Sequence, residues 1–387
     1  MSAAATIEIS ARETIRSQNI GADPGKSLKL VVLGLSITSS WGNGHATTYR
    51  GLLRELSKRG HDILFLERDV EWYACNRDLP EPSFCRTELY DSVSDLKARF
   101  ASEIRNADLV IVGSYVPDGI AVGEWVTSIA GGATAFYDID TPVTLSMLEG
   151  DRCEYLSQAL VPRYNMYLSF TGGPTLDLLE KRYGSPMARA LYCSVDPALY
   201  RRQELPLQWD LGYMGTYSDD RQPTLEKLLI RPATLWPDGR FVVAGPKYPA
   251  DVRWPRNVER IEHLAPPQHS EFYNSQRYTL NVTRADMIRA GYSPSVRLFE
   301  AAACGTAIIS DHWDGLETIF AIGNEILVAT TSEQALSYIK DIPERERKAI
   351  GHAAQKAILT NHTAAHRAAE LEQYAMEVIY SAAPVEN

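Results

Sequence analysis

Ser293-Pro-Ser-Val-Arg-Leu-Phe-Glu-Ala-Ala-Ala-Cys-Gly305 runs directly into Thr306-Ala-Ile-Ile-Ser310, and the pattern reads as a short helix feeding a buried strand. Ser293 is a preferred N-cap residue. Pro294 suits the first helical position, where its missing N–H would have no partner anyway. Gly305 stands where a left-handed cap ends such a helix. The N–H groups of Ser295, Val296 and Arg297 are then free at the helix start. Together with the positive end of the helix dipole they form an anion site suited to a diphosphate. One turn further in, the Glu300 carboxylate can accept hydrogen bonds from two vicinal hydroxyls, as a nucleotide ribose would offer.

Outward from this stretch the chain alternates apolar strands with amphipathic helices. Leu28–Leu35 predicts a buried strand, Ser36–His45 a loop, Ala46–Arg59 a helix and His61–Leu66 the next strand, which together make a βαβ unit. In such sheets ligands bind at the carboxyl edge of the strands. Gly42 and Gly44 in the loop would let backbone approach a ligand closely, and His45 is a candidate acid or base or, equally, a helix-packing histidine. Further strands are expected at Ala107–Gly113, Ala133–Tyr137 and Asn165–Phe170. The fourth leaves through Asp138-Ile-Asp-Thr-Pro142. Asp138 and Asp140 alternate and should face opposite ways. Asp140 is the first choice for a base and Asp138 the second, with turn and cap roles the alternative for both.

A second set of strands begins at Asp210–Met214. The loop Gly215–Arg221 and a helix through Leu229 follow. Arg221 is placed to reach a diphosphate from above this second sheet. Strand Arg240–Ala244 ends at Gly245-Pro-Lys247, where Lys247 is a weaker phosphate candidate, and Val258–His263 gives another short strand. Arg284 and Arg289 precede the helix of the opening stretch and are further phosphate or sugar candidates. Gly21-Ala-Asp-Pro-Gly-Lys-Ser27 echoes a P-loop, but it is one residue short and precedes its strand.

The stretch from Ser293 to Glu317 resembles the donor-binding signature of glycosyltransferases of the GT-B fold, in particular the retaining family 4 and its spore-maturation-protein-like branch. The pattern is Glu, seven residues, Glu, then Ala-x-Ala/Ser-x-Gly and an apolar strand. Glu300 matches the second glutamate, so the resemblance implies a ribose contact. The first glutamate falls at Tyr292, which the resemblance puts at the donor sugar. Asp314-Gly-Leu-Glu317 is similar to the family's Gly-x-x-Glu turn. His263 and its neighbours lie where the family borders the nucleotide base. The implied architecture is α/β: two doubly wound, Rossmann-like domains facing across a cleft. Residues 28–203 would form the acceptor side, with helix 364–380 crossing back onto it, and residues 204–363 the nucleotide-sugar side. The implied reaction moves a sugar from a nucleotide-sugar, a UDP-sugar above all, to an acceptor the sequence does not identify. A nucleotide-sugar 2-epimerase-like enzyme and a non-catalytic nucleotide-binding module of the same fold are the alternatives.

Composition sets the outer bounds. A chain of 387 residues is expected to form two domains. The formal net charge of −10 argues against a nucleic-acid-binding surface. Five scattered cysteines with no C-x-x-C spacing suggest neither disulfides nor a zinc site. No Asp-x-Asp pair sits at a strand exit of the second half, so neither a metal nor a cofactor beyond the nucleotide-sugar is expected. No apolar run approaches the ~20 residues of a membrane span, and the first ~27 residues read as a tail without a signal-peptide core. The expected setting is the cytoplasm, free or peripheral at the inner membrane face. A dinucleotide dehydrogenase is disfavoured because no G-x-G-x-x-G follows either first strand.

Overall fold

The computed structural model describes residues 27–42 and 44–381; the tail, Gly21–Lys26 of the P-loop-like stretch and Asn43 lie outside them. Two sheets make up the architecture, and every strand pairing in both is parallel. The first contains β1 (Lys29–Gly34), β2 (Asp62–Arg68), β3 (Arg86–Tyr90), β4 (Leu109–Gly113), β5 (Ala133–Asp138), β6 (Met166–Ser169) and β7 (Ala188–Ala190), in the order β3-β2-β1-β4-β5-β6-β7. The second contains β8 (Trp209–Met214), β9 (Phe241–Ala244), β10 (Val258–Ile261), β11 (Gln276–Asn281), β12 (Ala307–Ser310) and β13 (Leu327–Val328), in the order β10-β9-β8-β11-β12-β13.

The central strands are unbroken apolar runs because helices cover both faces of a parallel sheet. All five residues of β4 are buried, as are all six of β5. β3 has no counterpart among the strands expected from sequence. It is an edge strand of Arg-Thr-Glu-Leu-Tyr in which only Tyr90 is fully buried, so it carries no apolar signature. The expected helix through Leu229 instead continues as a π-turn over Glu226–Ile230 and a further helix to Leu235. Pro232 cannot donate to the carbonyl four residues back, and the widened turn accommodates that gap.

Strand order reverses between β1 and β4 in the first sheet and between β8 and β11 in the second. At such switch points adjacent loops diverge and leave a crevice at the carboxyl ends of the strands. The loops bordering the two crevices carry Tyr115 after β4, Gly215–Arg221 after β8, and Arg284 after β11. The final helix, Ala364–Ser381, returns to the first sheet. There Glu372 pairs with Arg59 and lies 3.4 Å from His61, and the Ala364 methyl lies against Gly51. No helix among the described residues is long and apolar enough to cross a membrane.

Candidate active site in the cleft

The helix of the signature stretch spans Val296–Ala303, and its N-cap is Ser295. It begins two residues later than the Ser-Pro pattern predicts. Ser293 and Pro294 are engaged elsewhere: Thr171 donates its hydroxyl to Ser293 Oγ at 2.9 Å, and the Cys193 thiol donates to the Pro294 carbonyl at 3.4 Å. The Ser295 hydroxyl does not cap the first turn but donates to Asn281 Oδ1 at 2.8 Å. The first-turn N–H groups of Val296 and Arg297 are therefore left for a ligand, while that of Ser295 precedes the helix. The helix ends as expected. Gly305 has φ +73°, its N–H reaches Ala302 O at 2.8 Å, and Thr306 N–H reaches Ala301 O at 3.1 Å. That pair of bonds is a Schellman cap.

Three guanidinium groups converge on this helix start. Arg297 is 8% exposed and donates to Met214 O at 2.6 Å and to Asn281 Oδ1 at 3.0 Å, with its guanidinium over the Tyr213 ring. Arg221 donates to Thr216 O at 2.6 Å. Burial lowers its pKa from the usual range, and the nearby charges of Arg297 and Arg284 push the same way. Among the described residues none of the three forms an ion pair with a carboxylate. Arg297 is buried, Arg221 half-buried and Arg284 exposed; a buried cation is costly unless an anion compensates it.

Between the two sheets lies a cavity of about 300 Å³ whose walls include Gly44, His45, Asp140, Arg284, Ser295 and Val296. The Asp140 carboxylate accepts from the Tyr115 hydroxyl at 3.1 Å. Burial raises its pKa, and Arg284 across the cavity opposes that rise. His45 meets the Tyr115 ring edge-on at 5.4 Å between centroids, and burial lowers its pKa to about 4, so it is neutral at physiological pH. The two aspartates do face different ways, but not through strand alternation, which would put residues two apart on one face: β5 ends at Asp138, and Asp140 stands at the N-cap of the following helix. Asp138 is fully buried behind the cavity, where its Oδ1 accepts from Thr144 Oγ1 at 2.8 Å and its Oδ2 from Tyr167. Burial pushes its carboxyl up to about 6.

The remaining expected site residues are more dispersed. Glu300 is 5% exposed, accepts from the Tyr273 hydroxyl at 3.1 Å and is also approached by the Tyr200 phenol. Tyr292 is half-buried between the sheets rather than on the cavity wall. Lys247, with φ +69°, and His263 are exposed on the turns after β9 and β10, and Gly42 is exposed on the loop after β1. The Arg297 side chain, Asn281 and Tyr115 were not singled out by sequence reading. Asn281 and Tyr115 had one available signal: each lies at or just beyond the carboxyl end of a strand beside a switch point.

Residues 221–373 match the protein-family profile described as glycosyl transferase-like. No curated protein sequence matches the chain significantly. Among solved structures, sucrose-phosphate synthase from Thermosynechococcus elongatus is similar with a TM-score of 0.67 at 12% identity, over 92% of this chain and 100% of that one. Anabaena HepE in complex with UDP and glucose gives 0.65 at 12% identity, over 90% and 100%. An alpha-glucosyltransferase in complex with UDP-glucose and DNA containing an abasic site gives 0.67 at 12% identity, over 91% and 100%. Residues 221–373 thus match a glycosyl transferase-like domain, and the two-sheet architecture along the chain is the GT-B fold that these structures share.

Proposed function

We propose that the protein transfers a glycosyl group from a UDP-sugar, of the UDP-glucose class, to an acceptor hydroxyl. The observation that carries this reading is the cluster of Arg221, Arg284 and Arg297 at the start of the Val296–Ala303 helix, with no carboxylate ion-paired to it among the described residues, and with Arg284 lining the cavity that also holds Asp140. The UDP, glucose and UDP-glucose named with the similar structures support uridine and glucose as the first choice of donor. On this reading residues 204–363 hold the donor, and residues 28–203 with the final helix take the acceptor.

Transfer breaks the bond between the anomeric carbon and the β-phosphate oxygen, so negative charge grows on the departing UDP. The three guanidinium groups and the Val296 and Arg297 N–H groups would stabilise that charge where it develops. Asp140 would take the proton of the attacking hydroxyl. The reading needs no metal. Glu300 would bind the ribose.

The test is calorimetric titration of the protein with UDP, GDP and ADP, each with magnesium and with a chelator. Tight binding of UDP alone, unchanged by chelation, is the expected result. A preference for another nucleotide would displace the uridine assignment, binding only with magnesium would displace the metal-free reading, and no binding at all would remove the donor site.

A further inference from the structure

Tyr292 has an unusual position. Its φ is +47°, in the left-handed region that costs an aromatic residue free energy, and such strain persists only where the surroundings enforce it. The surroundings here belong to both halves of the molecule. The Tyr292 carbonyl accepts from Gly172 N–H at 2.9 Å, while its own N–H donates to Asp314 O at 2.5 Å. The ring is held between two glycines, each with positive φ. A Cβ on Gly173, at the start of the first half's Pro174–Lys181 helix, would lie 2.4 Å from the ring. A Cβ on Gly315, beyond β12 in the second half, would lie 2.6 Å from it. No other side chain would fit at either position without moving the ring.

The next two residues continue the bridge, through the Thr171–Ser293 and Cys193–Pro294 bonds. The segment that leads into the Val296–Ala303 helix is thus fastened to the first half immediately before it presents its free N–H groups. The wall that carries His45 and Asp140 and the wall that carries Arg284 and Val296 meet across a cavity of about 300 Å³.

We propose that Tyr292 is a positioning residue: its ring is a wedge between the two halves that fixes how far the acceptor-side carboxylate stands from the anion-binding arginines. The proposal rests on the donor-site reading above for its catalytic consequence, but not for its structural one. The ring, not the phenolic hydroxyl, performs the task. The left-handed backbone is tolerated because the wedge and its two main-chain bonds hold it.

The experiment compares Tyr292→Asn with Tyr292→Phe in the full-length protein. Asparagine accepts the left-handed backbone and removes the ring; Tyr292→Gly repeats the measurement without any left-handed cost, should the asparagine variant melt early. Three quantities are read: small-angle scattering with and without UDP, the UDP dissociation constant, and kcat and KM for hydrolysis of UDP-glucose. The expected result for loss of the ring is a larger radius of gyration, a UDP dissociation constant within threefold of wild type, and a kcat at least tenfold lower. Tyr292→Phe should restore all three. Unchanged scattering and kcat in the folded asparagine or glycine variant would overturn the proposal. So would a loss of UDP affinity as large as the loss of kcat, which would make Tyr292 a ligand contact. If wild-type protein neither binds UDP nor hydrolyses UDP-glucose, the donor reading fails, and the scattering comparison alone judges the wedge.

Discussion

Tyr273 donates its hydroxyl hydrogen to Glu300 Oε2 at 3.1 Å in a pocket where neither side chain is more than 5% exposed. The bond helps fix the direction in which the carboxylate points, and the Tyr200 phenol approaches the same carboxylate. Removing the carboxylate therefore has two consequences. Glu300→Ala should lose UDP affinity by roughly ten- to a hundredfold, the worth of a hydrogen bond to a charged group at about 1.5–3 kcal/mol. It should also lower the melting temperature, because the buried Tyr273 hydroxyl is left without its acceptor. Glu300→Gln keeps an acceptor for Tyr273 and should lose affinity with less loss of stability. Calorimetry and thermal melting separate the two effects, and unchanged affinity in both variants would remove Glu300 from the ribose.

Arg297 makes a complementary prediction for the phosphates. Its Nε and Nη1 are anchored on Met214 O and Asn281 Oδ1, so Nη2 is the edge left for a ligand. Arg297→Lys cannot reproduce that fork. Both Arg297→Lys and Arg297→Ala should weaken UDP binding by about tenfold or more, on the same 1.5–3 kcal/mol scale, while leaving the much weaker binding of uridine within twofold. Equal losses for UDP and uridine, measured by competition, would show that Arg297 supports the fold and not the diphosphate.

Asp140 and Arg284 face one another across the cavity, and burial and charge act on the carboxylate in opposite directions. Asp140→Asn should leave the UDP dissociation constant unchanged and slow the reaction by a factor on the order of 10²–10⁴, the usual contribution of a general base. The base must be ionised to act. Because its pKa is raised, the acid limb of the rate profile should lie above the ordinary aspartate range. Arg284→Ala removes the opposing charge and should move that limb further up. A limb that stays in place in Arg284→Ala would mean another group controls it.

The parts of the site that were legible in sequence are those set by local rules. Gly305 announces a left-handed cap, and the apolar runs of β4 and β5 announce central strands, because each signal depends only on neighbouring residues. The opposite facing of Asp138 and Asp140 comes from where β5 stops, at Asp138, since residues two apart within a strand share a face. What was not legible depends on contacts far along the chain. Ser293 has every local qualification for an N-cap, yet Thr171 claims its hydroxyl, and the helix starts later. The Arg297 guanidinium enters the site through Met214 and Asn281, on strands 83 and 16 residues away. Tyr292 reads as a departure from a family pattern until Gly173 and Gly315 are seen on either side of it.

Asp138 gives the last prediction, one of stability. Its carboxyl is pushed from 3.8 up to about 6, chiefly by burial, with the hydrogen bonds from Tyr167 and Thr144 opposing the rise. Between these values the unfolded chain has released the proton and the folded chain still holds it. Folding therefore binds a proton there, and the stability this group confers is complete below pH 4 and lost as pH rises to about 6. A shift of this size corresponds to about 3 kcal/mol. His45, lowered to about 4, and His362, lowered to about 3, act with the opposite sign, since their unfolded forms bind the proton first. The two histidines together outweigh Asp138 in the wild-type profile, so the informative quantity is a difference. Asp138→Asn retains an acceptor for Thr144 but cannot ionise. Its free energy of unfolding relative to wild type, from urea titrations at pH 4 to 8, should rise by a few kcal/mol between pH 4 and 6.5 and then level off. A difference that stays flat across that window would mean that Asp138 is already ionised in the folded protein at pH 4, with its charge carried by the hydroxyls around it.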